Sequence, residues 1–279
     1  MRRNQFMILA CIFAFASART ANAADPEVIV NLRRLGVHIP AGKTPDDIER
    51  VGLSGSALDD ESLKWIALLH NLRDLAILGG SGNLQGRIQG PGLKHLSDLH
   101  QLEILSLSGM DMTDAIFGYI AVLPNLTTVT LHKIQGVSGK NIGPLRRLPK
   151  LRRISFTVVS LSESVDFSVL PECLAELIVG AVPIGDASVV TLVKLPHLSN
   201  VALGETKISD QSLFSLARLH SLKVLDVSKT RITGRGFKAF PEDRLVELQA
   251  RFTDLDESGV EELVHIKSLE SLDLTGTKI

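Results

Sequence analysis

The chain has 279 residues, of which 44% are hydrophobic, yet it contains one Trp and one Tyr, so its core is expected to be aliphatic. A formal net charge of −1 gives no sign of a nucleic-acid or polyanion binder. Length alone allows one large domain or two ordinary ones, and periodicity has to decide between them.

Residues 1–23 read as an export signal. Arg2 and Arg3 precede an apolar run from Phe6 to Ala18, and Ala21-Asn22-Ala23 stands before Ala24 as a small-residue cleavage site. The run is short for a bilayer span, so no transmembrane segment is expected in the mature chain. Cleavage would remove three arginines and no acid, moving the formal charge from −1 to −4. Ile8-Leu9-Ala10-Cys11 resembles a lipoprotein box, but the apolar run continues through Ile12, Phe13 and Phe15, where a polar start is required. Arg2-Arg3 with Phe6 has the wrong spacing for a twin-arginine signal. General secretion to the periplasm or the exterior is the reading. Loss of Cys11 would leave Cys173 as the one thiol, so no intramolecular disulfide is available. No His–acid pair is tied to Cys173 by a motif, and it reads as structural.

Residues 24–47 form an N-terminal cap and connector. Val28, Leu32 and Leu35 share one helical face, Gly36 can stop that helix, and Pro40, Gly42 and Pro45 break the chain that follows. From residue 48 to 279 one pattern recurs. Leu198 to Leu222 serves as its template: Leu198, Val201 and Leu203 have the spacing of a short buried strand, and Ile208, Leu213, Leu216 and Leu219 follow at helix-like spacing. Strand motifs begin at Ile48, Leu72, Leu102, Leu126, Leu151, Leu174, Leu198, Leu222, Leu245 and Leu269, at intervals of 23–25 residues except for one of 30. One copy cannot bury its own apolar face, whereas stacked copies can, which is the physical signature of a solenoid.

Each copy continues with a turn, often marked by Thr (Thr206, Thr230, Thr253, Thr277), whose hydroxyl can bond the turn backbone. Asp59, Thr113, Ser209 and Asp256 stand where a helix N-cap is needed, and Asp60, Asp114, Asp210 and Glu257 add negative charge to the first turn. These acids read as scaffold. Leu63/Ile66/Leu69, Phe117/Ile120/Leu123 and Val260/Leu263/Ile266 predict short outer helices packed on the strand layer. Copies 151–173 and 222–244 carry Pro171 and Pro241, which predict short or irregular outer segments. The copy from Leu72 has six extra residues in a Gly-rich run at 79–92, read as an insertion. The last copy stops after its turn, leaving Leu272, Leu274 and Ile279 partly exposed and able to mediate self-association.

The copies resemble those of bacterial secreted leucine-rich repeat proteins, with a consensus near LxxLxLxxTxIxDxxLxxLxxLxx, and the variant is similar to repeats found beside F-box domains. The resemblance covers roughly residues 25–279. It implies an α/β leucine-rich repeat solenoid, or horseshoe, with a parallel strand layer on the concave face and short helices on the convex face. It also implies ligand binding through variable positions. An export signal is at odds with a ubiquitin-ligase role, and no F-box-like segment is found ahead of the repeats.

No motif for catalysis, cofactor binding or metal binding stands out. Gly80-x-Gly82-x-x-x-Gly86 has one residue too many for a dinucleotide fingerprint, and Arg87 follows where a phosphate loop needs Lys and then Ser or Thr. His70 and His100 occupy equivalent positions without converging ligands, and His220 shows that this turn simply accepts His. The surface expected to work is the strand face, where residues between buried leucines line up from copy to copy. Its middle row runs Gly52, Ala76, Ser106, Thr130, Ser155, Ile178, Ala202, Asp226, Gln249, Asp273 and is mostly small.

Bulkier groups cluster twice. Thr130, His132, Lys133, Arg153 and Thr157 form a basic-polar centre, and Asp226, Lys229, Glu247, Gln249, Arg251 and Phe252 form a mixed-charge C-terminal patch. Phe252 is the single aromatic among them, which argues against a sugar-stacking groove. The expected function is non-catalytic recognition of a protein partner on this face, outside the cytoplasm. The rival is self-assembly through the C-terminal end. Buried triad positions oppose chain entropy at about 1.5–3 kcal/mol per aliphatic side chain. A charge there, as in Leu225→Asp, is expected to abolish the cooperative thermal transition of its neighbours, read by circular dichroism.

Overall fold

A computed structural model describes residues 25–54, 58–79 and 88–279. The export signal and most of the Gly-rich run at 79–92 lie outside these residues. Helix α1 (Pro26–Arg34) opens the described chain, with Asp25 accepting from the Glu27 amide as its N-cap and Gly36 beyond its end at φ 92°. Ten strands follow: β1 (Arg50–Ser54), β2 (Asp74–Leu78), β3 (Ile104–Asp111), β4 (Thr128–Gln135), β5 (Arg153–Thr157), β6 (Glu176–Gly180), β7 (Asn200–Ala202), β8 (Val224–Asp226), β9 (Glu247–Gln249) and β10 (Ser271–Asp273). They form one parallel sheet in sequence order. Between successive strands lies a short outer segment.

Some outer segments are helical, namely α2 (Leu63–Ile66), α3 (Ile116–Ile120), α4 (Asp186–Val189), α5 (Asp210–Leu216) and α6 (Glu257–Glu261). The others are 3₁₀ turns, including Phe167–Val169 ahead of Pro171 and Arg235–Ala239 ahead of Pro241, as the prolines predict.

The register is set by the buried leucines. Leu174, Leu177 and Val179 are fully buried, as are Leu198, Val201 and Leu203, and each triad stacks on its neighbour in a single continuous core. The expectation of a purely aliphatic core needs correction, because Phe117, Phe156, Phe167 and Phe237 are also fully buried. Phe117 and Phe156 meet edge to face at 6.3 Å between centroids, filling the wider space between strand and outer layer. Helix α1 packs against α2 and covers the first copy with Val28, Leu32 and Leu35.

Three sets of polar bonds recur from copy to copy, the first within each turn and the other two between copies. In the turns, the hydroxyls of Thr206, Thr230, Thr253 and Thr277 donate to the carbonyls three residues earlier at 2.6–2.8 Å. At the outer layer, the acids that read as first-turn charge clamp the following copy. Asp114 accepts from the Ser138 amide at 2.7 Å and hydroxyl at 2.6 Å, and Asp210 accepts from the Thr233 hydroxyl and the Gly234 amide. Asp60 does the same with the Gly92 amide. Of the predicted N-caps, Ser209 and Asp256 accept from amides of their own helices, and Asp59 accepts from the Ser62 amide. Thr113 makes no side-chain cap because α3 starts three residues later.

Just before several strand motifs, side-chain donors reach back to carbonyls of the preceding copy: Asn71 to Asp46, Ser221 to Pro196, Ser268 to Leu245. Cys173 stands in this column, with its Sγ 3.2 Å from the Leu151 carbonyl and 3.3 Å from that of Pro149. The thiol is therefore one more inter-copy donor.

A fourth column is conformational. At intervals of 23–25 residues the backbone turns left-handed: Gly109, Lys133, Val158, Ala181, Glu205, Lys229, Phe252 and Gly276 all have φ between 50° and 75°. Amides of this column extend the sheet ladder, as Lys229 N–H donates to Arg251 at 2.7 Å and Phe252 N–H to Thr275 at 2.8 Å. The left-handed region costs an L-residue about 1–2 kcal/mol and disfavours a β-branched one most.

Two stability predictions follow from these ladders. Val158 is 45% exposed and loses little burial on replacement, so Val158→Asn is expected to raise unfolding free energy by about 1 kcal/mol in chemical denaturation. Asp186 accepts from the Ser209 amide at 2.9 Å, from the Ser209 hydroxyl at 2.7 Å and from the Ser212 hydroxyl. Burial pushes its carboxyl up, but the bonds from Ser212 and Ser209 outweigh burial and hold it below the ordinary carboxylate range. A depressed folded-state value means that this stabilisation is present above the unfolded value of about 4 and is lost as pH falls through the folded one. Asp186→Asn should therefore lower stability by about 1–2 kcal/mol at pH 7. The deficit relative to the parent should shrink as unfolding is repeated below pH 4.

Candidate partner-binding face

The parallel register brings the expected middle row together as one line. Gly52 pairs with Ala76, Ala76 with Ser106, and so on through Thr130, Ser155, Ile178, Ala202, Asp226 and Gln249 to Asp273. Successive side chains alternate across the sheet, so this row faces away from the leucine core on the concave side. Rows on either side add charge: Arg153, Glu176 and Glu247 on one flank, and His132, Thr157 and the left-handed column on the other.

The central cluster is less basic than its own residues suggest. Register sets Arg153 beside Glu176, and the guanidinium lies 3.4 Å from that carboxylate. His132 Nδ1 lies 2.8 Å from Thr157 Oγ1, tying β4 to β5. Lys133, held left-handed at φ 50°, makes no ion pair among the described residues. In the C-terminal patch, Lys229 pairs with Glu205 at 2.7 Å and Arg251 with Asp273 at 2.6 Å. Gln249 Nε2 donates to Glu247 at 2.8 Å. The Thr275 hydrogen bonds, ahead of Arg251, hold the Asp273 carboxyl below its ordinary range, so it is ionised at neutral pH.

Between these clusters the concave face dips into an open groove of about 580 Å³, lined by residues from β5 to the turn after β9. Its floor is Ile178, Gly180, Ala202 and Gly204, and its C-terminal wall is Asp226, Lys229, Gln249, Arg251 and Phe252. Thr157 closes the other side. Of the eleven residues singled out from sequence, Thr157 and those five wall residues line this groove. Thr130, His132, Lys133, Arg153 and Glu247 lie outside its lining. Sequence reasoning missed Glu176 and Glu205 as charge partners, and Gly180 and Gly204 as the floor. The 23–25-residue interval carried that information, since Glu205 and Lys229 occupy the same place in consecutive copies.

Among the described residues, no group of three or more His, Cys, Asp or Glu converges as a metal site, and no helix is long and apolar enough to cross a membrane. His70 Nδ1 lies 3.9 Å from Asp46, a solvent-facing contact.

Solved structures share this architecture. An internalin (inlF) from Listeria monocytogenes superposes with a TM-score of 0.58 at 16% identity, covering 91% of this chain and 89% of its own. A chain from an octameric complex of Latrophilin 3, Unc5D and FLRT2 (LRR) gives 0.63 at 17% identity, covering 86% and 70%. The fold is a leucine-rich repeat solenoid. A second internalin from the same bacterium, internalin C2, gives a TM-score of 0.50 at 19% identity over 90% of this solenoid and 93% of that chain. No protein-family model and no curated protein matches the sequence.

Proposed function

We propose that this solenoid is a non-catalytic binding module that works outside the cytoplasm and recognises a protein partner on its concave strand face. The observation that carries the reading is the groove. Ten register-locked positions produce a mostly small-residue surface, and where it is bounded by paired charges and an exposed ring it opens to about 580 Å³. Extended concave surfaces are the usual recognition face of solenoids. A structural neighbour comes from an assembly of several different proteins, the complex of Latrophilin 3, Unc5D and FLRT2. The export-type N-terminal sequence, Arg2-Arg3 with an apolar run and Ala21-Asn22-Ala23, supports an extracytoplasmic site of action. A second reading, self-association through the last copy, is favoured by the exposure of Leu272 and Ile279.

Site-specific photo-crosslinking separates the two. A photoreactive residue at Gln249, in the groove wall, is expected to capture a different protein, while one at Val190 on the convex side captures none. Ala202→Trp, which fills the groove floor with neutral bulk, should reduce capture from position 249 at least tenfold with an unchanged melting curve. Adducts formed only from the convex probe, or only with a second copy of this chain, would overturn the concave-face reading.

A further inference from the structure

The groove contains one acid whose charge the protein leaves uncompensated. The other carboxylates at its C-terminal side have partners: Glu205 holds Lys229, Asp273 holds Arg251, and Glu247 accepts from Gln249. Asp226 Oδ1 accepts one bond, from the Ser228 amide at 2.9 Å, and its Oδ2 has no hydrogen-bond partner among the described residues. Both neighbouring cations are already engaged elsewhere, and Asp226 sits half-buried in the middle row between Ala202 and Gln249. A carboxylate without a cation on the wall of an open groove is free to make a charge-assisted bond to a guest cation.

Access to Asp226 depends on a glycine. A Cβ built at Gly204 would lie 3.9 and 4.0 Å from the two carboxylate oxygens and 3.3 Å from the Ser228 carbonyl. Any longer side chain at Gly204 would cover the acid, whereas glycine leaves it open to the groove.

Phe252 provides an independent observation. It occupies the left-handed column at φ 52°, a place filled by Gly in two other copies, and it is 57% exposed. Its ring lies against Gly276 of the next copy, where an added Cβ would overlap it. The left-handed backbone is common to the column, but Phe252 is its one aromatic residue, and its ring remains more than half exposed on the groove wall. An aromatic face beside an unpaired acid suits a cation on an aliphatic stem, through carboxylate pairing and cation–π attraction.

We infer that the groove is a seat for one basic side chain, Arg or Lys, of the protein partner, with Asp226 as its counter-ion and Phe252 as the aromatic wall. This rests on the protein-binding reading and specifies the partner's chemistry: a cationic residue presented from an exposed segment. Charge complementarity favours it, since internal pairing leaves the groove and its flank with residual negative charge at Asp226 and Glu247.

The test uses the folded chain of residues 24–279 and two blocked pentapeptides, acetyl-Gly-Gly-Arg-Gly-Gly-amide and its Glu counterpart, titrated at low salt and followed by amide NMR. The Arg peptide is expected to bind at about millimolar Kd. It should shift the Gly204, Asp226 and Phe252 amides, and the Glu peptide should not. Asp226→Asn should weaken the Arg peptide about tenfold, and Phe252→Leu, which keeps apolar bulk without the ring, about two- to fivefold. Melting curves of both variants check that the fold is retained, and Gly204→Leu offers a third route by covering the acid without removing it. Equal response to both peptides, shifts confined to other copies, no response at millimolar peptide, or an unchanged response in folded Asp226→Asn would each overturn the seat. Crosslinking from position 249 remains a separate readout. A peptide response without any protein adduct would retain the cation seat and remove the protein-partner reading.

Discussion

Every feature of this protein depends on the inability of a single copy to bury its own leucines. A triad such as Leu174, Leu177 and Val179 has neighbours only when copies on both sides place theirs at the same height. That requirement fixes the register of all ten strands, and fixed register in turn lines up everything else. The Asp clamps and the reaching donors bond across copies because the leucines have already set the spacing, while the Thr hydroxyls close each turn within its own copy. The polar ladders satisfy backbone and hydroxyl groups that burial would otherwise leave unpaired, so they specify alignment where the apolar core supplies most of the driving force.

Two consequences of that alignment work against stability and shape the concave face. From β3 to β10 the backbone of each copy passes through the left-handed region at the equivalent place, and six of the eight residues in that column are not glycine. The strained side chains Val158, Glu205, Lys229 and Phe252 stand on one rim of the face. Charges in neighbouring rows are likewise forced into contact, which turns Arg153, Lys229 and Arg251 into halves of ion pairs and leaves Asp226 as the acid of the groove lining without a cation among the described residues. Such exposed pairs contribute little to stability on their own. Their effect here is to decide which charges remain available to a partner.

The same geometry explains how far each site residue could be read in advance. Asp226 and Gln249 stood out because they interrupt a small-residue row, and Thr157, Lys229, Arg251 and Phe252 because they are bulkier groups beside it. Ala202 was read as part of the small row, but Gly180 and Gly204 were not singled out, and the continuous floor depends on adjacency between two copies. Arg153 shows the opposite case: taken within its own copy it reads as a free cation, and Glu176, 23 residues later, cancels it. Cys173 read as a structural thiol, and only the stacking shows that its one S–H faces the Leu151 and Pro149 carbonyls of the preceding copy.

The sequence by itself determined the period, the buried triads and the strand face, because apolar spacing is a local property that survives in one dimension. It also marked Pro171 and Pro241 as places where the outer layer loses its helices. Only the tertiary structure decided which charges are spent on one another, that the first-turn acids bind the next copy, that phenylalanines join the core, and that the face dips into a groove over Gly204. Those features arise between copies, where distances follow from stacking and cannot be read along the chain.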